Sequence, residues 1–248
     1  MPDGGEEVTI KVISSLGKVS AEHWDACAGN ENPFVSHTFL KALEDSQAAT
    51  AETGWLPQHV VIEDEKGLVG CAPCYLKNHS HGEYVFDWGW ADAYERAGGR
   101  YYPKLQVSVP FSPVTGPRLL VRRGDDKPQT RRLLAAGLLE LAKQHKVSSL
   151  HITFPEEEEW TELGELGLLQ RQGQQFHWRN NGYKTFDDFL DTLNSRKRKM
   201  IRKERAAANA EVDIEVLTGD AILPEHMEAF YGFYLNTVDR KWAHAYLN

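Results

Sequence analysis

Cysteine is scarce in this sequence, with three residues in a chain of 248. Three thiols are too few, and odd in number, for the disulfide framework of a small secreted domain. No apolar run reaches the ~18–20 residues that a membrane-spanning helix needs. The opening residues (MPDGGEE) are acidic and lack the apolar stretch of a secretory signal. We therefore expect a protein of the reducing cytoplasm, with no membrane insertion.

Positive charge is in deficit overall but concentrated in one segment. The formal net charge of −8 argues against a protein that coats nucleic acid over its whole surface. Residues 195–205 (SRKRKMIRKER) carry seven Lys/Arg and one Glu, a balance of +6 that leaves −14 elsewhere. This segment is either a solvated helix face paired with nearby acids or an anion site for phosphates of a substrate or an RNA end.

The spacing of apolar residues predicts a mixed α+β fold. Predicted strands cover residues 8–12, 58–63, 68–77, 84–86, 104–107, 118–121, 150–154, 174–179 and 212–216. Predicted helices cover residues 20–27, 36–46, 126–146, 156–166 and 226–237, a segment beginning at Thr185, and the basic segment. Because a turn at 64–67 joins two strands as a hairpin, we expect a central, mostly antiparallel sheet flanked by helices.

The pattern changes near Thr185 and predicts two domains, residues 1–182 and 183–248. One strand and a few helices cannot form two packed layers around a core. The second unit therefore either docks on the first or continues beyond Asn248, and we favour continuation.

Acids alternate with large aromatics in residues 87–94 (DWGWADAY), directly after a predicted strand, where ligand-binding loops commonly lie. Aromatic surroundings can raise a carboxylate pKa toward the working range of a base. Asp87 and Asp92 are therefore the candidate catalytic residues, for amine binding or proton acceptance. The candidate substrate-binding residues include Trp88 and Tyr94 of this segment and Lys104 of the predicted strand 104–107. The alternative is an aromatic plug whose acids hydrogen-bond loop backbone.

A second polar row lies on the predicted strand 174–179, where His177 and Arg179 share one side. Such a row can line a cleft and bind substrate, although a histidine in this setting is more often structural.

Cys71 and Cys74, followed by His79 and His81, have the composition of a zinc site. Zinc ligands of the C-x-x-C type usually lie in a turn that brings the thiolates together. Here the pair falls inside a predicted strand, where residues three apart point to opposite faces. We therefore predict no metal.

The basic segment, read as a helix, places cationic residues four apart on one surface, with Met200 and Ile201 facing the protein. Arginine binds phosphate through two parallel hydrogen bonds, and lysine supplies a point charge. The predicted phosphate contacts are Lys197, Arg198, Arg202 and Lys203.

Several stretches resemble the FemAB-like (peptidoglycan biosynthesis/recognition) branch of the GNAT acyltransferase superfamily. The strand GPRLLV, the helix LLAAGLLELAKQHKV and the strand SSLHITF look like the central part of a GNAT enzyme. The segments NPFVSHTFLKALE, QFHWRNNGY, SRKRKMIRKER and DRKW are similar to the FemAB-like branch, and the resemblance spans most of residues 32–242.

The resemblance implies a GNAT-like first domain, the start of a second, truncated GNAT-like domain, and N-acyl or aminoacyl transfer to an amine. The implied acceptor is a peptidoglycan precursor or another peptide. Fem-type enzymes transfer an amino acid from aminoacyl-tRNA, so the expected donor is acyl-CoA or aminoacyl-tRNA, and tRNA is a candidate partner. Because no Ser-His-Asp or Cys-His signature marks a nucleophile, we expect direct attack by the amine.

Two departures from the GNAT pattern argue against acetyl-CoA use by the first domain. The pyrophosphate loop of GNAT enzymes reads Arg-x-x-Gly-x-Gly/Ala, whereas residues 121–126 (VRRGDD) have one glycine and two carboxylates that would repel a pyrophosphate. A frequent GNAT general acid is a tyrosine at the position that Leu163 occupies. The rival functions are a non-catalytic peptide or cell-wall recognition module and an RNA-binding protein acting through the basic helix.

Overall fold

The computed structural model describes residues 9–85, 87–241 and 244–247. The chain divides into two compact units, one made of Met1–Gln170 with Ala245–Asn248 and the other of Arg171–His244. The domain boundary expected at residue 182 falls within the second unit. None of the helices in the described ranges combines the length and hydropathy that a membrane crossing requires.

The first unit contains two four-stranded sheets. Sheet A has the order β1 (Thr9–Ile13), β3 (His59–Asp64), β4 (Gly67–Ala72), β7 (Leu120–Val121). Sheet B has the order β2 (Trp55–Pro57), β5 (Cys74–Lys77), β6 (Lys104–Val107), β8 (Leu150–Ile152). The pairs are antiparallel apart from β6 with β8. The mixed, mostly antiparallel fold is thus confirmed, but the strands form two sheets instead of one.

Pro73 divides the long strand predicted over residues 68–77 into β4 and β5. Proline has no N–H to donate to a strand ladder, and the chain passes here from sheet A to sheet B. The Pro73 carbonyl accepts a hydrogen bond from Ser108 N at 3.2 Å, which fixes the crossing.

The described residues of the first unit form the helices α1 (Ala21–Ala28), α2 (His37–Asp45), α3 (Trp88–Arg96), α4 (Lys127–His145) and α5 (Glu157–Glu165). The long helix α4 begins as predicted, because the Asp126 side chain accepts a hydrogen bond from Gln129 N at 3.0 Å. Its buried leucines, such as Leu134 and Leu138, pack against β3 and β6 in one apolar cluster. This helix therefore joins the two sheets into one core.

The second unit contains α6 (Phe186–Asp191), α7 (Ser195–Asn209) and α8 (Pro224–Arg240). The strands predicted over residues 174–179 and 212–216 were wrong, since both segments are irregular. No neighbouring strand pairs with either segment in the described part of this unit. The backbone N–H and C=O groups of these segments therefore do not form the hydrogen bonds of a sheet. The strand predicted at 84–86 was also wrong for Tyr84, whose φ of 57° is left-handed; Phe86 lies outside the described residues.

Glu159, in the first turn of α5, binds the backbone directly before β7. Its buried carboxylate accepts backbone N–H bonds from Arg118 at 2.9 Å and Leu119 at 2.9 Å. The Arg131 guanidinium of α4 lies 3.7 Å away. Burial raises the pKa of Glu159 to about 7, although these backbone bonds and both arginines oppose the rise. The carboxylate thus satisfies two adjacent buried N–H groups at the point where the chain enters β7.

We expect Glu159→Ala to lower the free energy of unfolding by about 3 kcal/mol, because it leaves two buried N–H groups unpaired and removes a charge beside buried Arg131. Glu157→Ala is the matched control, since Glu157 is an exposed acid in the same helical turn, and it should cost less than about 1 kcal/mol. Denaturant unfolding measures both changes. Equal losses would show that Glu159 does not anchor β7.

Candidate functional site

Sheet B has one apolar face and one polar face, although both are buried. Leu76, Leu105 and Val107 pack on the α4 side within the apolar cluster. Side chains alternate along a strand, so the opposite face carries Tyr75 and Lys77 of β5 and Lys104 and Gln106 of β6. The strand register sets Tyr75 opposite Gln106 and Lys77 opposite Lys104. Four neighbouring polar side chains in the interior are unusual, because Lys in particular is rarely buried without partners.

Lys104 is the centre of this polar face. Its Nζ donates hydrogen bonds to Asp87 Oδ2 at 2.6 Å, Glu83 Oε2 at 2.7 Å and Ser80 Oγ at 2.9 Å. The Tyr101 hydroxyl also donates to Asp87 Oδ2, at 2.7 Å. The three charged side chains are fully shielded from solvent. We call Lys104, Glu83, Asp87, Ser80 and Tyr101 the Lys104 cluster.

The two carboxylates of the cluster differ in proton affinity. Burial raises the pKa of Asp87, but hydrogen bonds from Lys104, Ser80 and Tyr101 outweigh that effect and leave the pKa below its usual value. Burial dominates at Glu83 and raises its pKa, with Lys104 opposing the rise. Asp87 is therefore held as a carboxylate anion, whereas Glu83 takes up a proton more readily.

Several buried polar atoms around the Lys104 cluster have no hydrogen-bond partner in the described residues. They are Glu83 Oε1, Asp87 Oδ1, Tyr75 OH, Gln106 Oε1 and Ser108 Oγ. Buried polar atoms are nearly always paired with protein, water or ligand. The polar face of sheet B is thus the part of the first unit with the greatest unused capacity to bind a polar group.

Lys77 lies beside the cluster and is the less well paired of the two buried lysines. Its Nζ is 3.5 Å from the centroid of the Trp55 ring and 3.5 Å from the His81 carbonyl oxygen, a long hydrogen bond. Burial lowers the pKa of Lys77 to about 7; Lys104 lowers it further, and Glu83 opposes the change.

The structure brings Asp87 and Lys104 together but leaves the other residues predicted on this segment at the surface. Asp92 forms an exposed pair with Arg96 within α3, with Nη2–Oδ2 at 2.9 Å. Trp88 and Tyr94 are exposed on the same helix. The Trp88 ring lies 5.2 Å from the His81 ring, and the Tyr94 ring lies 6.2 Å from the Tyr101 ring.

His177 and Arg179 lie in the irregular segment of the second unit, because the strand predicted to carry them is absent. Both are exposed. The His177 Nε2 atom is 3.0 Å from Gln175 Oε1.

Helix α7 separates the basic residues onto two faces. Arg198 pairs with Asp191 at 2.9 Å and Arg202 with Asp187 at 2.8 Å, so these two predicted phosphate contacts already bind carboxylates of α6. A second, adjacent face carries Arg196, Lys199 and Lys203, which are three and four residues apart. Their side chains have no partner in the part of the chain that the structure describes. The expected inward position of Met200 was wrong, since it lies on this second face and is 51% exposed.

Lys197, the remaining predicted phosphate contact, is exposed in the first turn of α7, where its backbone N–H donates to the Asn194 cap at 2.9 Å. Ile201, which was also expected to face the protein, is partly buried.

The first unit does not fit the CoA pyrophosphate that a GNAT-like fold implies. The segment before α4 contains Arg122, but its guanidinium binds Asp125 at 2.7 Å and Asp64 at 2.6 Å. The Asp126 carboxylate caps the helix and so takes one of the N–H groups that a phosphate would use. Glu159 already binds the backbone directly before β7. Carboxylates therefore already bind the groups that the pyrophosphate of an acyl-CoA would need for its own hydrogen bonds.

Cys71 and Cys74 lie on different strands, and both are free, buried thiols. Burial raises the pKa of Cys74 to about 12, so its thiolate is disfavoured. In the described ranges, no three His, Cys, Asp or Glu side chains come together as a metal site requires.

Sequence reasoning missed Glu83, Ser80, Tyr101 and Lys77 as members of the polar face. A signal for Lys77 was present, since it is a lysine at the end of an otherwise largely apolar strand. Glu83, Ser80 and Tyr101 lie in loops, where a polar residue carries no burial signal.

The sequence matches the FemAB-like family, described as peptidoglycan biosynthesis/recognition, over residues 15–248. The chain belongs to this family, which confirms the resemblance found in its sequence.

Three solved structures share part of the architecture. One is a ribosomal-protein-alanine N-acetyltransferase from Brucella melitensis biovar Abortus 2308, with 14% identity, coverage of 71% of this chain and 100% of that chain, and a TM-score of 0.43. The second is an acetyltransferase from Trypanosoma brucei, with 13% identity, coverage of 70% and 100%, and a TM-score of 0.43. The third is the aminoglycoside N-acetyltransferase AAC(6')-Iy in complex with CoA, with 12% identity, coverage of 74% and 99%, and a TM-score of 0.42. TM-scores this low carry no argument about function. No curated protein matches the chain significantly.

We expect Lys104→Met to lower the free energy of unfolding by about 3–5 kcal/mol at pH 7, because it leaves Glu83 and Asp87 buried without a cation. Their pKa values should then rise above those of the unfolded chain, so the loss should shrink as the pH falls from 7 toward about 4. Lys41→Met, which removes an exposed pair with Asp45, is the control, with an expected cost of about 0.5 kcal/mol. Urea unfolding at several pH values measures both. A loss independent of pH would contradict the charge assignment.

Proposed function

We propose that this protein is an N-acyl or aminoacyl transferase that moves an acyl group to an amine. Membership of the FemAB-like family supports acyl or aminoacyl transfer in general. The observation that carries the finer proposal is the pair of unpartnered carboxylate oxygens, Asp87 Oδ1 and Glu83 Oε1, beside Lys104. Carboxylates that face an interior without enough cations are suited to an ammonium group.

Asp87 is the residue that we propose to bind the acceptor amine. Its second oxygen is already fixed by Lys104 and Tyr101, so the free oxygen is held in one orientation. Its lowered pKa keeps it anionic, which favours ammonium binding. Asp92 has none of these features, and its exposed pair with Arg96 resembles an ordinary helix-surface contact.

The acceptor that we propose is an amine of a peptide, with a peptidoglycan precursor as the first candidate because of the family description. The donor is either acyl-CoA or aminoacyl-tRNA. We propose that it is not bound at the start of α4, where carboxylates already occupy the N–H donors and the neighbouring arginine. The three free thiols favour a reducing compartment such as the cytoplasm.

We expect Asp87→Asn to lower kcat/KM for the acceptor amine by about 100-fold, because the neutral amide binds an ammonium group poorly. Asp92→Asn, on the same segment but outside the cluster, should change it less than about 2-fold. The assay is transfer of labelled acyl groups from acyl-CoA or aminoacyl-tRNA to a peptide amine, with circular dichroism to confirm folding. Equal effects of the two substitutions would remove Asp87 from the site.

Phosphate binding by α7 is a separate part of the proposal. The predicted contacts were Lys197, Arg198, Arg202 and Lys203, and we now favour Lys203 together with Arg196 and Lys199. These three share a face without carboxylate partners in the described residues, whereas Arg198 and Arg202 bind acids of α6. Such a face would bind the phosphates of a tRNA or of another nucleotide-bearing substrate.

Replacing Arg196, Lys199 and Lys203 together by Ala should weaken tRNA binding, and the slope of log K against log salt should fall by about 2 for three lost phosphate contacts. Replacing Arg198 and Arg202 by Ala should change the slope less, since their charges are already paired. Filter binding at 50–200 mM salt, roughly the range in which such contacts respond most, measures both. An unchanged slope in the triple variant would exclude this face.

A recognition module without catalysis is the second candidate function. Trp88, Trp90 and Tyr94 are exposed aromatics on one short helix, and Trp90 is 58% exposed. Aromatic side chains with a polar edge are enriched at binding surfaces. This function predicts peptide binding that hardly depends on salt, together with no transfer of label.

A further inference from the structure

Lys77 and Lys104 form a cross-strand pair on the buried face of sheet B, but only Lys104 is bonded to carboxylates. The register of β5 and β6 places the two residues directly opposite each other. Lys104 donates to both Glu83 and Asp87, whereas Lys77 has the Trp55 ring and the long bond to the His81 carbonyl. Like charges directly opposite on neighbouring strands repel each other. The two lysines therefore differ in their partners, because two carboxylates bind Lys104 and none binds Lys77 in the described residues.

The charge balance of this face leaves room for one additional cation. Glu83 and Asp87 share one bonded lysine, Lys104, in the described residues, so there are two carboxylates for one cation. Each carboxylate also has one oxygen without a partner in the described residues. A ligand ammonium would restore neutrality and satisfy these oxygens. A neutral Lys77 beside it would present its nitrogen lone pair, which can accept a proton.

Lys77 is buried but lies close to the surface. The residue whose carbonyl it contacts, His81, is exposed. The ring of His81 stands 4.8 Å from the His79 ring and 5.2 Å from the Trp88 ring.

Resting on the proposed function, we propose that Lys77 is the general base of the reaction, which removes a proton from the acceptor ammonium held by Asp87 and Glu83. In this step the N–H bond of the ammonium breaks, its electron pair stays on the acceptor nitrogen, and the proton bonds to Nζ of Lys77. The neutral amine then attacks the carbonyl carbon of an acyl ester or thioester. A C–N bond forms, the C–O or C–S bond breaks, and the leaving group departs with that electron pair.

The proton affinities of the groups that face Lys77 support this assignment. A general base works best when its pKa lies near the operating pH, and burial lowers the pKa of Lys77 to about 7. Asp87, with its lowered pKa, is a weak base. The charge of Glu83 raises the pKa of Lys77, whereas the charge of Lys104 lowers it further. Burial lowers the pKa of nearby His79 to about 4. His79 is therefore neutral at pH 7 and competes little for the proton.

The test is the pH dependence of acyl transfer in Lys77→Ala, with the exposed Lys143→Ala as control. We expect kcat/KM of the wild type to rise with pH through a midpoint of about 7, and this rise to be lost in Lys77→Ala with a rate lower by about 100-fold. Added methylamine should restore part of the rate in Lys77→Ala, because a small amine can enter the space left by the side chain. Lys143→Ala should keep the wild-type profile.

The outcomes separate this inference from the proposed function. No transfer by the wild type would overturn both. Transfer by the wild type, with an unchanged pH profile in Lys77→Ala, would overturn the base assignment alone. A second readout needs no activity: in protein labelled with ¹³C at lysine Cε, one NMR resonance should titrate near pH 7 and be absent in Lys77→Arg. If the Lys77 resonance titrates only near pH 10, as in an ordinary lysine, the assignment is wrong.

Discussion

The burial of the Lys104 ammonium between two carboxylates is the interaction on which the polar face of sheet B depends. An isolated buried charge costs several kcal/mol, and paired charges are tolerated only when their remaining donors and acceptors are bonded. Lys104 meets this condition with Asp87, Glu83 and Ser80. The carboxylates do not, because each retains one oxygen without a partner in the described residues. That asymmetry is what makes the cluster a candidate site and not only a structural ion pair.

The same constraint shapes the rest of the first unit. Helix α4 and its leucines cover the apolar face of sheet B and reach sheet A, so the polar face must be covered by other residues. Residues 80–102 supply Ser80, Glu83, Asp87 and Tyr101, all bonded to one another or to Lys104. Glu159 is a second buried carboxylate, and it accepts hydrogen bonds from the N–H groups of Arg118 and Leu119 directly before β7. In both arrangements, buried charged side chains form the hydrogen bonds that satisfy polar groups in the interior of the first unit.

Much of the fold and part of the site could be predicted from particular residues. Asp126 and Pro128 fixed the start of α4, and the run of β-branched residues at 60–62 indicated β3. The failures share one cause. Residues 174–179 and 212–216 alternate as a strand does, but a strand also requires a partner, and local pattern contains no information about one. Asp87 could be predicted because large aromatic residues follow it in the sequence. Glu83 lies in a loop, and its sequence neighbours gave no comparable signal.

The sequence alone determined the helix boundaries set by caps, the family, and the concentration of charge in residues 195–205, because each depends on residues close together in the chain. Only the tertiary structure decided that Lys77 and Lys104 face each other, that Asp87 is buried while Asp92 is exposed, and that Arg198 and Arg202 are already paired. These facts depend on strand register and on helix packing, which join residues distant in sequence. A pKa or a free carboxylate oxygen follows from that three-dimensional environment, and no local pattern contains it.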